Sequence, residues 1–487
     1  MGAIKERAHI LLVTFPAQGH VKPAIRLARR LASDNRLRVS FATSEAIGKQ
    51  LHDAGTTTTS GTDAHVEFLT FFDGLAVDED RRDLDWFMAH LNRAGPNGLA
   101  ALISDLEARG RPVHCVVSNP FVPWVVDVAE GFSIPCALLW VQSCAIYALY
   151  YRSVYRLSEF PTPEKPDIDI SLPGLPVLQA SELPSFLLPS AAHRCLADVI
   201  LSHIKKIKKV KWVLGNSFYA LETEAIQLME ELAPIRPIGP LVPSELLGQS
   251  TDTEVRGDLW KPAHDCLDWL STQPQGSVIY VAFGSVVTLS TKQIEELAWG
   301  LSSSGRPFLW AAKPVDSTSE FQLPDGFLKV IVGRGKLVKW CPQVEVLTHP
   351  SVACFVTHCG WNSTLETIAA GTPVIALPHW GDQVTNAKFL VDIYGVGVRL
   401  KRGSEGFVRR EEVCRCMDEI MEGPSALRIR DNAIKLKEAA RDAWETGGSS
   451  DKNLKAFVEE VISLGRQEEV IEARLPSLNL KDHALTE

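Results

Sequence analysis

Long apolar runs are missing from this chain of 487 residues, and no segment approaches the ~18 consecutive apolar residues of a membrane-spanning helix. The amino-terminal stretch MGAIKERAHILLVTFPAQGH holds one short apolar run, too short for a secretory signal. Glu6 stands where a myristoylation signal needs Ser or Thr. An excess of basic charge is also missing. A net charge of −9 and a pI near 5.9 argue against nucleic acid or an anionic membrane as partner. The basic run Lys205-Lys206-Ile207-Lys208-Lys209 reads as a solvated helix face. The 10 cysteines are scattered, with no C-x-x-C and only Cys414 and Cys416 closely spaced. That spacing suits neither a disulfide framework nor a zinc site, and it fits reduced thiols in a cytoplasmic enzyme. No G-x-G-x-x-G follows a strand pattern and no G-x-x-x-x-G-K-[ST] occurs, so a dinucleotide-dependent oxidoreductase and a phosphate-loop hydrolase both lack their fingerprints.

What the chain does hold is 45% hydrophobic residues in alternating strand and helix patterns, enough core for two or three domains. Apolar runs at 9–15, 38–43, 65–71, 113–117, 136–140 and 212–217 read as buried strands separated by helical patterns. A second series at 277–285, 307–311, 336–340, 352–357, 373–377 and 395–400 repeats the arrangement. The predicted fold class is α/β, with two Rossmann-like doubly wound domains facing across a cleft. The expected division is an amino-terminal acceptor-binding domain over 1–245, a linker and entry segment over 246–276, a nucleotide-sugar domain over 277–465 and a loose polar tail over 466–487. Linker character is strongest at 235–257, and a helix from Asp451 to about Leu464 is expected to end the second domain. The Pro-rich stretch from Ser158 to Pro189 reads as a long surface loop.

The segment from Trp340 to Gln383, WCPQVEVLTHPSVACFVTHCGWNSTLETIAAGTPVIALPHWGDQ, concentrates the unusual residues. A buried strand, VACFVT, leads through His358-Cys359-Gly360-Trp361-Asn362-Ser363 into a short helix closed by Gly371. A helix that starts where a parallel strand ends offers unpaired N–H groups and partial positive charge to an anion. His358, Asn362 and Ser363 are donors beside that point. Trp340 and Gln343 can stack on and bond a flat base, Glu366 can accept from two ribose hydroxyls, and Asp382 and Gln383 can accept from a sugar. A plainer reading makes Ser363 and Glu366 a capping box, and Trp361 a core residue.

This segment resembles the signature box of the plant UDP-dependent glycosyltransferases, from its opening Trp through HCGWNS and the Glu to the closing Asp-Gln. The resemblance implies a two-domain glycosyltransferase architecture, with Trp340 on uracil, Cys341 and Gln343 on the nucleoside and Glu366 on ribose. It also implies His358, Asn362 and Ser363 on the diphosphate, and Trp361, Asp382 and Gln383 on the sugar. A closing Gln goes with glucose, so UDP-glucose is the expected donor substrate, with no further cofactor. Ser285, after the strand SVIYVAF, is expected to help hold phosphate.

Sugar transfer needs a general base beside the acceptor. His20, between a strand and a helix, sits where the helix dipole disfavours imidazolium. The loop FPAQGHVKP resembles the family's catalytic-histidine loop, which makes His20 the catalytic candidate. The family usually pairs that His with an Asp, and here Asn119 stands in its place. An amide orients an imidazole without stabilising its cation by charge, which points to an acceptor that arrives ionised. NPFVPW and WVQSCA resemble the hydroxybenzoate and hydroxycinnamate 1-O-glucosyltransferases. The expected reaction is inverting transfer of glucose to the carboxylate of a small aromatic or related acid, giving a 1-O-β-glucose ester. Glucosylation of phenolic hydroxyls and non-catalytic nucleotide-sugar binding are the alternatives. Asp78-Glu79-Asp80, Asp83-Leu84-Asp85 and Asp167-Ile168-Asp169 match the Asp-x-Asp of metal-dependent glycosyltransferases, but none ends an apolar strand, so no metal is expected. A monomer is expected.

Overall fold

The computed structural model describes residues 7–56, 66–191, 193–249, 265–284, 287–312 and 322–474. Two parallel sheets organise them. The first contains β1 (Ala8–Val13), β2 (Leu37–Ser44), β3 (Val66–Phe71), β4 (Cys115–Ser118), β5 (Cys136–Trp140), β6 (Trp212–Gly215) and β7 (Ile235–Pro237), in the order β3-β2-β1-β4-β5-β6-β7. The second contains β8 (Val278–Ala282), β9 (Phe308–Ala311), β10 (Gly335–Val338), β11 (Val352–Thr357), β12 (Val374–Ala376) and β13 (Gly397–Arg399), in the order β10-β9-β8-β11-β12-β13. The strands are continuous apolar runs because both faces of each sheet are covered. In β1, Leu11 and Val13 join one buried cluster while Ile10 and Leu12 join another. In β8, Val278 and Tyr280 face one way and Ile279 and Val281 the other.

Strand order reverses between β1 and β4 in the first sheet and between β8 and β11 in the second. At such a switch point the connections leave in opposite directions and open a crevice at the carboxyl ends of the strands. His20 and Asn119 follow β1 and β4, and Gly284 and His358 follow β8 and β11. Both crevices therefore carry the candidate residues.

Three segments depart from the sequence-based expectation. Ile235–Pro237, at the start of the stretch whose composition reads most as linker, is β7, and Pro237 is tolerated because β7 lies at the sheet edge, where a missing N–H breaks no ladder. Within the expected linker and entry segment, Asp265–Ser271 is helical. The closing helix spans Ser449–Arg474, ten residues past the expected end; it runs on through Gly465, where a Cβ would lie 3.0 Å from His114 Cδ2, into good helix formers with no Pro among them. That helix packs on the first sheet. Leu454, Phe457, Val458, Val461 and Ile462 share a cluster with Ile10, Leu12 and Trp212, Phe457 meets the Trp212 ring edge-on at 5.3 Å, and Asn453 donates to the Pro237 carbonyl at 2.8 Å.

Candidate active site

The chain turns sharply between β11 and the helix Trp361–Ala370. Cys359 adopts φ 63°, a left-handed conformation that a non-glycine residue holds only when its surroundings enforce it. Two side chains do so, since the Thr357 hydroxyl accepts from Cys359 N at 3.2 Å and Asn386 Nδ2 donates to Cys359 O at 3.0 Å. Beside this turn the His358 imidazole lies between two glycines. A Cβ on Gly284 would sit 2.8 Å from its Cε1, and one on Gly360 2.5 Å from its Nε2, so any side chain at either position would displace the ring. Burial lowers the His358 pKa to about 4, and its Nδ1 is shut from solvent without a partner. The helix that follows starts at Gly360 with no side-chain cap, which leaves its first-turn N–H groups available to an anion. Gly360 as cap places Ser363 inside the helix, so the capping-box reading of Ser363 and Glu366 does not hold.

Those two side chains instead meet Gln343. Gln343 Nε2 donates to Ser363 Oγ at 3.1 Å and to Glu366 Oε2 at 2.8 Å, while its Oε1 accepts from Tyr280 at 3.1 Å. The Tyr280 hydroxyl also lies 3.2 Å from Cys341 Sγ. Trp340, on the same loop, has Lys22 Nζ 5.9 Å from its ring centroid. Gln343 thus links the carboxylate of Glu366 to the hydroxyls of Ser363 and Tyr280 in one hydrogen-bonded group.

At the other end of the turn Asp382 heads the helix Gln383–Lys388. Its carboxylate accepts from Asn386 Nδ2 at 2.8 Å, yet burial outweighs that bond and raises its pKa to about 6. Gln383 Oε1 accepts from the backbone N–H groups of His379 and Trp380, at 3.0 and 3.3 Å, and so fixes the loop it closes. Trp361, which the resemblance places near the sugar, follows the turn directly at the start of the helix. Its side chain is in the core, 4% exposed, and its indole N–H donates to the Asn216 carbonyl at 2.7 Å. A buried indole needs such a partner. Ser285 lies outside the described residues.

From the first half come His20 and Asn119. His20 opens the helix Gln18–Ala32, its ring set edge-on to Phe15 at 5.2 Å and to Phe121 at 4.9 Å. Burial lowers its pKa to about 4, and Asn119 is the neighbour that opposes the shift. The imidazole is therefore neutral at neutral pH. Asn119 Oδ1 accepts from Phe121 N at 3.2 Å, while Asn119 Nδ2 and His20 Nδ1 are both enclosed without a hydrogen bond of acceptable geometry. Across the seam, Asn362 Nδ2 donates to the Gly19 carbonyl at 2.7 Å and brings the histidine loop against the box helix.

The Pro-rich stretch is more than the surface loop its composition suggests. Leu172, Leu178, Leu183 and Phe186 are core residues. Ser185 N donates to Gly381 O at 2.8 Å and Gly381 N to Ser185 Oγ at 2.7 Å, Thr385 donates to the Glu182 carbonyl at 2.7 Å, and Phe186 packs on Trp380 at 6.0 Å. Sequence reading missed this clasp, and also missed His379 and Asn386, because none of these residues carries a local pattern. The basic run is partly neutralised, with Lys206 on Asp127 and Lys209 on Glu130 at 2.6 Å. Of the Asp-x-Asp candidates, Asp83 caps a helix at Trp86 N and Asp80 pairs with Arg82.

Two doubly wound parallel sheets, with the candidate residues at the carboxyl ends of the strands where the strand order reverses, give a two-domain α/β architecture suited to a nucleotide-sugar transferase. Residues 250–443 match the family described as UDP-glucoronosyl and UDP-glucosyl transferase. The chain is 46% identical to gallate 1-beta-glucosyltransferase 84A24 of Punica granatum, over 93% of this chain and 88% of that protein. It is 45% identical to the limonoid UDP-glucosyltransferase of Citrus unshiu, over 93% and 89%. The structure of Os79 from O. sativa in complex with UDP superposes with a TM-score of 0.83 at 32% identity, covering 93% of this chain and all of that one. The chain belongs to the UDP-glycosyltransferase family and is a UDP-glucosyltransferase of it. No helix among the described residues is long and apolar enough to cross a membrane.

Proposed function

We propose that this enzyme transfers glucose from UDP-glucose to the carboxylate of a small aromatic acid, with inversion, to give a 1-O-β-glucose ester. A carboxylate oxygen attacks the anomeric carbon, the bond from that carbon to the β-phosphate oxygen breaks, and UDP leaves with the bonding electrons. On this reading Trp340 stacks on uracil beside Cys341 and Gln343, and Glu366 accepts from the ribose hydroxyls. His358, Asn362, Ser363 and the helix N-terminus receive the diphosphate, and Asp382 and Gln383 hold the glucose hydroxyls. Charge develops on the leaving diphosphate as the bond breaks, which is where oriented donors accelerate transfer most.

The observation that carries the acceptor class is Asn119 beside His20. A phenol of pKa about 10 must give up its proton at a cost of about 4 kcal/mol at pH 7, whereas a carboxylic acid of pKa near 4 is already ionised. Asn119 lends no negative charge to an imidazolium, and burial holds His20 neutral, so His20 suits orienting an anionic acceptor better than deprotonating a neutral one. The gallate 1-beta-glucosyltransferase relative, which by name acts on an acid, supports the same class. The test is to incubate the protein with UDP-glucose and matched panels of benzoic acids, cinnamic acids and phenols, with and without a chelator. Alkali-labile products formed equally well with chelator are expected. Stable phenolic glucosides alone would overturn the ester reading.

A further inference from the structure

Arg26 lies on the same helix as His20 and is 9% exposed. Its guanidinium crosses the seam between the halves, with Nη2 3.3 Å from Glu366 Oε1 and Nη1 donating to the Leu241 carbonyl at 3.0 Å. Leu241 N in turn donates to Asn216 Oδ1 at 2.7 Å, and Asn216 O receives the Trp361 indole. Arg26 is thus held from behind by a chain of bonds that returns to the box helix carrying Glu366. The carboxylate is 3% exposed and has one oxygen on Arg26 and the other on Gln343. A carboxylate offers about four lone-pair directions. Arg26 and Gln343 engage one on each oxygen and leave one on each, the pattern that a vicinal diol fills.

We infer that Arg26 is a positioning residue for donor recognition, setting the Glu366 carboxylate so that its remaining lone pairs face the two ribose hydroxyls. The inference rests on Glu366 being the ribose ligand. Arg26 makes no donor contact itself. It reaches from the first half to the Glu366 carboxylate in the second, so ribose selectivity is shared between the halves. A guanidinium suits the task because its planar fork reaches a carboxylate and a carbonyl at once, which an ammonium does with less directional control.

The test measures affinity for UDP and for 2′-deoxy-UDP by calorimetry in the wild-type enzyme and in Arg26→Met, Arg26→Lys and Glu366→Gln, each checked for folding by circular dichroism. Wild type should prefer UDP by about tenfold, the value of one hydrogen bond to a charged group. Glu366→Gln should bring the ratio near one, Arg26→Met should lower it several-fold, and Arg26→Lys should retain part of it. A residue that merely docked the halves would lower stability or turnover and leave this ratio alone. A wild-type ratio in Arg26→Met, with the ratio lost in Glu366→Gln, overturns the role of Arg26 and leaves the ribose assignment standing. If Arg26→Met does not fold, a full wild-type ratio in a folded Arg26→Lys enzyme that has lost turnover overturns it too. An unchanged ratio in Glu366→Gln removes the ribose assignment itself.

Discussion

The side-chain amide of Asn362 donates to the main-chain carbonyl of Gly19 at 2.7 Å, and through that bond the turn proposed to take the diphosphate touches the residue before the proposed catalytic histidine. A box residue thus meets a loop more than 300 residues away in sequence, one of several contacts, with Arg26 on Glu366, that join the two halves here. A Cβ on Gly19 would lie 3.7 Å from Asn362 Nδ2, so the approach is close without being crowded.

His20→Ala separates orientation from base catalysis. For aromatic acids the expected loss in kcat is about tenfold. For a phenol that still turns over, the loss should approach the ~100-fold or more typical of a missing general base. UDP affinity, measured by calorimetry, should be nearly unchanged in both cases. An unaltered rate with both acceptor types would remove His20 from the mechanism.

Asn119→Asp restores the charge that this chain lacks. The new carboxylate should stabilise His20 as imidazolium and raise its pKa from about 4. The ratio of phenol to acid glucosylation should then rise, by about tenfold, as His20 gains basicity. Competition between a phenol and a matched benzoic acid in one reaction reads this ratio directly, and a ratio that falls would contradict the acceptor argument.

Acid should silence the enzyme through Asp382 before it reaches His20. Asp382 takes up its proton at about pH 6 and then loses an acceptor for the sugar, whereas His20 stays neutral down to about pH 4. The acid limb of kcat/KM for UDP-glucose should fall near pH 6, and Asp382→Asn should flatten that limb at a lower plateau. Stability has its own pH dependence. His358 has a folded pKa of about 4 against 6.5 unfolded, so between those values the unfolded chain binds more protons and stability falls as pH falls. His9, His20, His203 and His379 are shifted the same way, so the ring's share is read as a difference: the loss in urea stability between pH 7 and pH 5 should be larger in wild type than in His358→Gln by on the order of 2 kcal/mol.

Phe457→Ala tests how the closing helix holds the first half. The ring is fully buried against Trp212, and its loss should cost about 3–5 kcal/mol. Thermal unfolding should report a lowered midpoint, while UDP affinity of the folded fraction stays near wild type.

The sheets were largely legible because buried parallel strands are continuous apolar runs. VACFVT, read at 352–357, is β11 to the residue, and CALLW is β5. Positions set by long-range contact were not legible. β7 carries a Pro and reads as linker until its place at the sheet edge is known. Trp361 belongs to a recognisable box, but only the fold shows that the main-chain carbonyl of Asn216, from the other half, accepts a hydrogen bond from its indole N–H. The capping box failed because Gly360, not Ser363, begins the helix. The Ser185 and Gly381 clasp joins segments whose compositions suggest no pairing.

The most direct test of the donor site is calorimetric titration of UDP-glucose into wild type, Glu366→Ala and His358→Ala, with folding verified for each. A nucleotide sugar seated on the turn after β11 predicts at least a tenfold loss of affinity in both variants. Affinity equal to wild type in both would contradict it.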